Sequence, residues 1–182
     1  MDNLDMKFCT PLVFALLVLA APPALAAPSL PGGASSLNEV HGDWAVGCAI
    51  QGQGDGAKLL CAASQRQVNK TNQQQVLAIE LTPSADAAKG VLALPLGLDL
   101  AKGAVLQVDE GNSTPLQAFS TCVAGGCLVP LNFDAANLKF LRAGKALNVY
   151  ATTMGAKPIK FAISLKGLPA ALDRVTALLQ AK

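Results

Sequence analysis

The segment Asp43-Trp44-Ala45-Val46-Gly47-Cys48-Ala49-Ile50 decides the fold class of this chain. Larger side chains at positions 44, 46 and 48 alternate with small ones, and a period of two is that of a strand with one buried face. The glycine-rich run at 52–56 then predicts a turn, and residues 58–68 predict the next strand. We expect Trp44 to be a core residue that packs beside Cys48.

Short strand patterns separated by turn residues continue through most of the chain. We predict strands at 75–82, 90–96, 104–108, 116–122, 148–154 and 159–165. This series is typical of a mainly β protein with a β-sandwich or barrel-like fold.

Two segments have helical spacing instead. A short helix is predicted near 134–142, with Asp134 as its cap and Gly144 at its end. A C-terminal helix is predicted near 168–180, with Leu168, Leu172, Val175 and Leu179 on one side. Such a helix could cover the edge of the sandwich or bind a partner, and we favour packing on its own domain.

The amino-terminal part of the chain predicts export. Residues 1–26 resemble a signal peptide, with an apolar run over 8–21 followed by Ala24-Leu25-Ala26. The run is shorter than the roughly 20 residues of a membrane-spanning helix, so we predict no membrane span after signal cleavage. Residues 27–41, rich in Ala, Pro, Ser and Gly, predict a flexible leader, and 42–182 predict one domain.

Four cysteines follow the predicted signal: Cys48, Cys61, Cys122 and Cys127. An even number in an exported protein is typical of disulfides. Of three possible pairings we favour Cys48–Cys61 and Cys122–Cys127, while a pairing of early with late cysteines across two sheets remains open. Zinc binding is disfavoured for oxidised cysteines, and a redox pair usually has two intervening residues whereas Cys122 and Cys127 have four.

The residues form no recognisable catalytic, metal or cofactor site. His41 is the only histidine, and we interpret it as a surface loop residue beside the leader. No serine lies in a G-x-S-x-G motif, and the adjacent acids Asp109 and Glu110 read as a hairpin turn. The formal charge of +2 includes no cluster of Lys or Arg, which excludes a typical nucleic-acid partner. We therefore expect no enzyme and no cofactor.

Two longer motifs carry a family resemblance. Gly42-Asp43-Trp44-Ala45-Val46-Gly47-Cys48 with Cys61, and Phe119-Ser120-Thr121-Cys122-Val123-Ala124-Gly125-Gly126-Cys127, resemble signatures of the invasion-associated locus B (IalB) family. The segments at 141–145 and 163–167 are similar to its closing parts, although Leu168 stands where the family often has phenylalanine.

The resemblance covers about residues 42–173 and implies an immunoglobulin-like β-sandwich exported by a Gram-negative bacterium. Some pathogenic members of that family promote entry into host cells, and the family brings no established reaction. We therefore expect an exported, non-enzymatic interaction protein, periplasmic or secreted to the cell surface, with an unidentified protein or envelope partner and an undetermined oligomeric state. The alternatives are a cell-envelope structural or stress factor, and a hydrolase or redox factor with an unrecognised site.

Overall fold

The computed structural model describes residues 29–181, so the predicted signal peptide lies outside the described residues. They form ten strands, two α-helices and three short 3₁₀ turns. The strands are β1 (Ser36–His41), β2 (Trp44–Gln51), β3 (Lys58–Val68), β4 (Gln75–Ser84), β5 (Ala87–Leu94), β6 (Val105–Val108), β7 (Thr121–Val123), β8 (Gly126–Phe133), β9 (Ala146–Thr152) and β10 (Pro158–Ser164). The helices are α1 (Ala135–Ala143) and α2 (Leu168–Gln180), and the 3₁₀ turns are Pro31–Gly33, Gly54–Gly56 and Leu100–Lys102.

The strands are arranged in two antiparallel sheets. A seven-stranded sheet has the order β1-β2-β3-β4-β5-β8-β7, and a three-stranded sheet has the order β10-β9-β6. Strands β1 to β5 follow the chain order, each joined to the next by a turn, so most of the large sheet is built from local pairings. The prediction of a mainly β protein with two helices is confirmed, whereas the immunoglobulin-like topology stays a prediction.

One face of the seven-stranded sheet carries the core. Alternate side chains of its strands point to this face, as the period of two requires. They have at most 5% of their surface exposed: Trp44, Val46, Cys48, Cys61, Ala63, Leu77, Ile79, Leu81, Ala88, Leu92, Leu94, Cys127, Val129, Leu131 and Phe133. Helix α2 packs across β1 to β4, α1 packs on β5 and β8, and side chains of β2 and β3 bond to the backbone of β10. The core thus lies between this sheet and a layer of helices and small sheet.

Both helices lie close to where the sequence places them. The Asp134 carboxylate accepts a hydrogen bond from the Asn137 backbone N–H at 2.9 Å, and the Gly144 N–H bonds to the last turn. In α2 the prediction of Leu179 on the buried side is wrong, since Leu178 is 2% exposed and Leu179 is 39% exposed. No helix within residues 29–181 is long and apolar enough to cross a membrane.

The structure differs from the sequence prediction in three segments. Residues 36–41, assigned above to the flexible leader, form β1, because their backbone pairs along β2 although Glu39 and His41 are polar. A strand was predicted over 116–122, but only Thr121–Val123 is a strand there. The strand Gly126–Phe133 was not predicted, because Pro130 interrupts its apolar pattern. The pairing of β8 with β7 stops at Leu128, so Pro130 lies where that side of β8 is a sheet edge, and proline is tolerated at an edge.

The β1–β2 turn lies against the start of α2. The Asp43 N–H donates to the Lys166 carbonyl at 3.0 Å. Gly42 and Gly167 both have left-handed backbones, with φ of 61° and 90°. A Cβ at Gly42 would lie 2.6 Å from the Lys166 oxygen, and one at Gly167 would clash with the His41 carbonyl. The close approach of the two segments therefore requires glycine at both positions.

Candidate functional site

Each of the two disulfides joins residues directly opposite in neighbouring antiparallel strands. Cys48 of β2 is bonded to Cys61 of β3, and Cys122 of β7 is bonded to Cys127 of β8. Cys48 and Cys61 are each 5% exposed and belong to the core, whereas Cys122 is exposed at the sheet edge. All four thiols are consumed, so none of them is free to act as a nucleophile or a metal ligand.

Trp44 lies between the two sheets. Its side chain is 1% exposed, and its indole N–H donates to the Ser164 carbonyl of β10 at 2.8 Å. The amide of Gln65 donates to the same carbonyl at 3.0 Å. A buried tryptophan needs a partner for its N–H, and this bond both supplies one and fixes the small sheet against the large one.

His41 lies at the end of β1, not in a loop as the sequence interpretation had it. Its Nε2 is 3.4 Å from Glu39 Oε2, and the same carboxylate takes two bonds from the Arg174 guanidinium, at 2.8 and 2.6 Å. The Arg174 hydrogen bonds, with a smaller contribution from His41, lower the pKa of Glu39 from 4.5 to about 2. These three side chains tie β1 to α2, which is a structural role.

Asp109 and Glu110 form a tight turn after β6, as predicted. The Asp109 backbone is left-handed with φ of 49°, and its carboxylate accepts hydrogen bonds of 2.9 to 3.1 Å from the N–H groups of Lys145 and Ala146. The carboxylate is thus engaged in holding the start of β9. No group of three His, Cys, Asp or Glu side chains within residues 29–181 could hold a metal ion.

A cavity of about 470 Å³ lies between α1 and the loop after β6. Its floor is formed by buried apolar residues, among them Leu106, Leu141 and Leu147, and Phe140 stands at its edge with 60% exposure. Asp109 is the charged residue that lines it, and its carboxylate is already bonded to backbone N–H groups. The charged residue of this lining is therefore already engaged in holding the start of β9.

Exposed apolar side chains gather at the end of the molecule where β5 and β9 finish and β6, β8 and β10 begin. Met154, Leu96, Leu116, Val123 and Leu100 are 75, 61, 59, 52 and 42% exposed. We call these five residues the apolar loop surface. Isolated exposed apolar residues are ordinary, but a group of five on adjacent loops is typical of an interaction site.

Backbone hydrogen bonds hold these loops side by side. The Met154 N–H donates to the Gly97 carbonyl at 3.0 Å, which places Met154 next to Leu96. The Gly103 N–H bonds to Leu100, and the Leu116 side chain lies so close that a Cβ at Gly103 would be 2.9 Å from it. The arrangement is therefore fixed by the scaffold.

The hairpin that carries Val123 is fixed to the same end. The Gly126 backbone lies against the Leu94 carbonyl, two residues before Leu96. The Gln75 amide at the start of β4 donates to the Gly125 carbonyl at 2.9 Å. The β7–β8 hairpin thereby brings Val123 to the apolar loop surface, and the β3–β4 turn borders it.

The family model for "Invasion associated locus B (IalB) protein" matches residues 44–176. The chain belongs to the IalB family. The match includes both disulfides, Trp44 and all five residues of the apolar loop surface.

Similar proteins include relatives from Brucella and Bartonella. An invasion protein B homologue of Brucella abortus (strain 2308) is 45% identical over 169 residues, which are 92% of this chain and 94% of the relative. Invasion protein B of Bartonella bacilliformis is 38% identical over 165 residues, 86% of this chain and 85% of the relative. The crystal structure of invasion associated protein B from Bartonella henselae superimposes with a TM-score of 0.70 at 35% identity, covering 79% of this chain and 97% of that one.

The IalB family is not one of known enzymes, and the arrangement of the side chains fits that. The sequence-predicted residues lie in three places: Trp44 and the Cys48–Cys61 disulfide are in the core of the large sheet, the Cys122–Cys127 disulfide is at its edge, and His41 is on β1. The apolar loop surface was missed by the sequence interpretation. A signal was present, because Leu96 lies between Pro95 and Gly97 and Met154 precedes Gly155, and large apolar residues at turn positions are seldom buried.

Proposed function

We propose that this chain is an exported, non-enzymatic interaction protein of the bacterial periplasm or cell surface that promotes entry into host cells. The observation that carries the proposal is the apolar loop surface, where five large apolar side chains remain exposed on loops held by backbone hydrogen bonds. Exposing apolar side chains to water is unfavourable, so a group of them kept together at one end indicates a surface that another molecule covers.

The disulfides support an extracytoplasmic location. Disulfides persist in oxidising compartments and are rare in the reducing cytosol. The apolar run and the Ala24-Leu25-Ala26 motif of the sequence add a route of export. The relatives named invasion protein B support a role in invasion, because this chain is aligned with them over most of its length.

The state of the chemically active side chains supports a non-enzymatic role. A catalytic histidine needs a nucleophile or a substrate proton within hydrogen-bond reach, whereas His41 faces the Glu39 carboxylate, which Arg174 already binds. The four cysteines are in disulfides, and Asp109 is bonded to the backbone of β9.

The test is a host-cell entry assay with a non-invasive Gram-negative strain that expresses the full chain. We expect the wild-type chain to raise the number of internalised bacteria, and the double variant Leu96→Asp, Met154→Asp to remove most of that increase, since two charges would disrupt the apolar contact. Val40→Asp is the matched control, because Val40 is 77% exposed but lies on β1 away from these loops.

Immunoblots of the exported fraction show whether each variant reaches the same level outside the cytoplasm. Equal export together with equal entry for the wild type and the double variant would overturn the assignment of the apolar loop surface. Failure of the wild-type chain to raise entry at all would overturn the proposed role in invasion.

A further inference from the structure

We propose that the apolar loop surface docks onto the surface of a lipid bilayer that contains anionic lipids. This inference rests on the proposed interaction function and names the class of partner. The apolar side chains would enter the boundary between headgroups and acyl chains, and lysines around them would face the anionic headgroups.

The position of the apolar residues fits shallow insertion. Leu96 stands between Pro95 and Gly97, Val123 lies in the short β7–β8 hairpin, and Met154 lies in the β9–β10 turn. Leu96 and Met154 lie where the chain bends between strands, and Val123 is the last residue of β7, directly before the hairpin turn. Removing these side chains from water is favourable, and together they provide a substantial part of a reversible attachment.

The charges on the same loops complement an anionic surface. Lys70 of the β3–β4 turn, Lys102 and Lys157 are all exposed. Asp99 is the acidic residue of these loops, and its carboxylate is 3.7 Å from the Lys102 ammonium. The lysines therefore outnumber the acids three to one around the apolar loop surface, and an anionic membrane attracts lysines that lie near it.

The composition favours lipid over a protein partner. Centres of protein interfaces are enriched in Trp, Tyr and Arg, whereas the apolar loop surface consists of three leucines, a valine and a methionine with lysines at its border. The aliphatic side chains match the acyl chains of an anionic bilayer, and the lysines around them match its charged headgroups. A lysine stem can lie along apolar groups while its ammonium stays in the headgroup layer.

The test is vesicle flotation with the chain purified after export from the expressing cells. One set of vesicles contains phosphatidylglycerol and phosphatidylethanolamine, and the other contains phosphatidylcholine alone. We expect binding to the anionic set, weaker binding as salt is raised, and little binding to the neutral set. Leu96→Asp, Met154→Asp should weaken binding more than about tenfold, Val40→Asp should leave it unchanged, and Lys70→Gln, Lys102→Gln, Lys157→Gln should remove most of the salt dependence.

Circular dichroism melts of each variant show that the fold is kept. Absence of binding to anionic vesicles, or equal binding of the wild type and the Leu96→Asp, Met154→Asp variant, overturns the lipid inference. If vesicles are not bound but the double variant still loses host-cell entry, the proposed function stands and the partner is a protein. If vesicles are bound through these loops but entry is unaffected, the lipid inference stands and the invasion role falls.

Discussion

The two disulfides have the same local geometry in different surroundings. Both join residues that face each other across antiparallel strands, but Cys48–Cys61 lies inside the core of the seven-stranded sheet, whereas Cys122–Cys127 lies at its edge. Val123, which follows Cys122, is part of the apolar loop surface. The central disulfide therefore serves the stability of the whole domain, while the edge disulfide holds a short hairpin that carries an exposed side chain.

The largest effect is expected from the central disulfide. The double variant Cys48→Ala, Cys61→Ala opens a loop with a separation of 13 residues and should lower the free energy of unfolding by about 3 kcal/mol. Loss of two buried sulfurs adds to this cost. Urea unfolding followed by tryptophan fluorescence measures it, because Trp44 is buried in the same core as this disulfide. A loss smaller than that of the edge variant below would contradict the comparison.

Removal of the edge disulfide should lower stability less than removal of the central one, but it should weaken vesicle binding. Cys122→Ala, Cys127→Ala opens a loop with a separation of only five residues, and about 2 kcal/mol is expected. Because the hairpin that carries Val123 loses its covalent closure, we also expect weaker vesicle binding at a temperature where the domain is folded. Unchanged vesicle binding with an intact melting curve would show that the hairpin is held by its backbone contacts alone.

The smallest effect on stability is expected from breaking the Glu39–Arg174 link between β1 and α2, and this effect depends on pH. The pKa of Glu39 is lowered to about 2 in the folded chain from 4.5, mainly by Arg174, so the pair stabilises fully above pH 4.5 and loses its contribution as the pH falls toward 2. Melting temperatures of the wild type and Glu39→Gln should therefore differ near neutral pH and converge below 4.5. A difference that stays constant down to pH 2 would exclude this carboxylate as the cause.

Local patterns in the sequence were sufficient for the central part of the fold. The alternation at 44–50, the glycine-rich turn and the residues 58–68 give a hairpin in which the favoured cysteine pair is directly opposite. The helix caps are local too, so α1 and α2 were placed within a residue of their observed bounds. Such features depend on neighbours in the chain and need no knowledge of the tertiary structure.

The edges of the sheet could not be predicted in the same way. The inward side chains of β1 include Glu39 and His41, which become acceptable there because Arg174 of α2, more than a hundred residues later, binds the carboxylate. Pro130 in β8 is acceptable because the pairing of β8 with β7 stops at Leu128, before Pro130 is reached. The apolar loop surface is also a tertiary feature, since residues from 96 to 154 meet only after both sheets have formed.

The contact between Gly42 and Gly167 has a consequence for the order of folding. The β1–β2 turn and the start of α2 touch through backbone atoms that are 125 positions apart in the chain, and the two glycines can meet only when both segments have been made. The central hairpins can close early from local contacts, but β1 and the helical layer must wait for the last part of the chain. A chain interrupted before α2 would therefore expose the apolar face of its largest sheet. Docking of α2 covers that face, and until then the chain is open to aggregation and proteolysis.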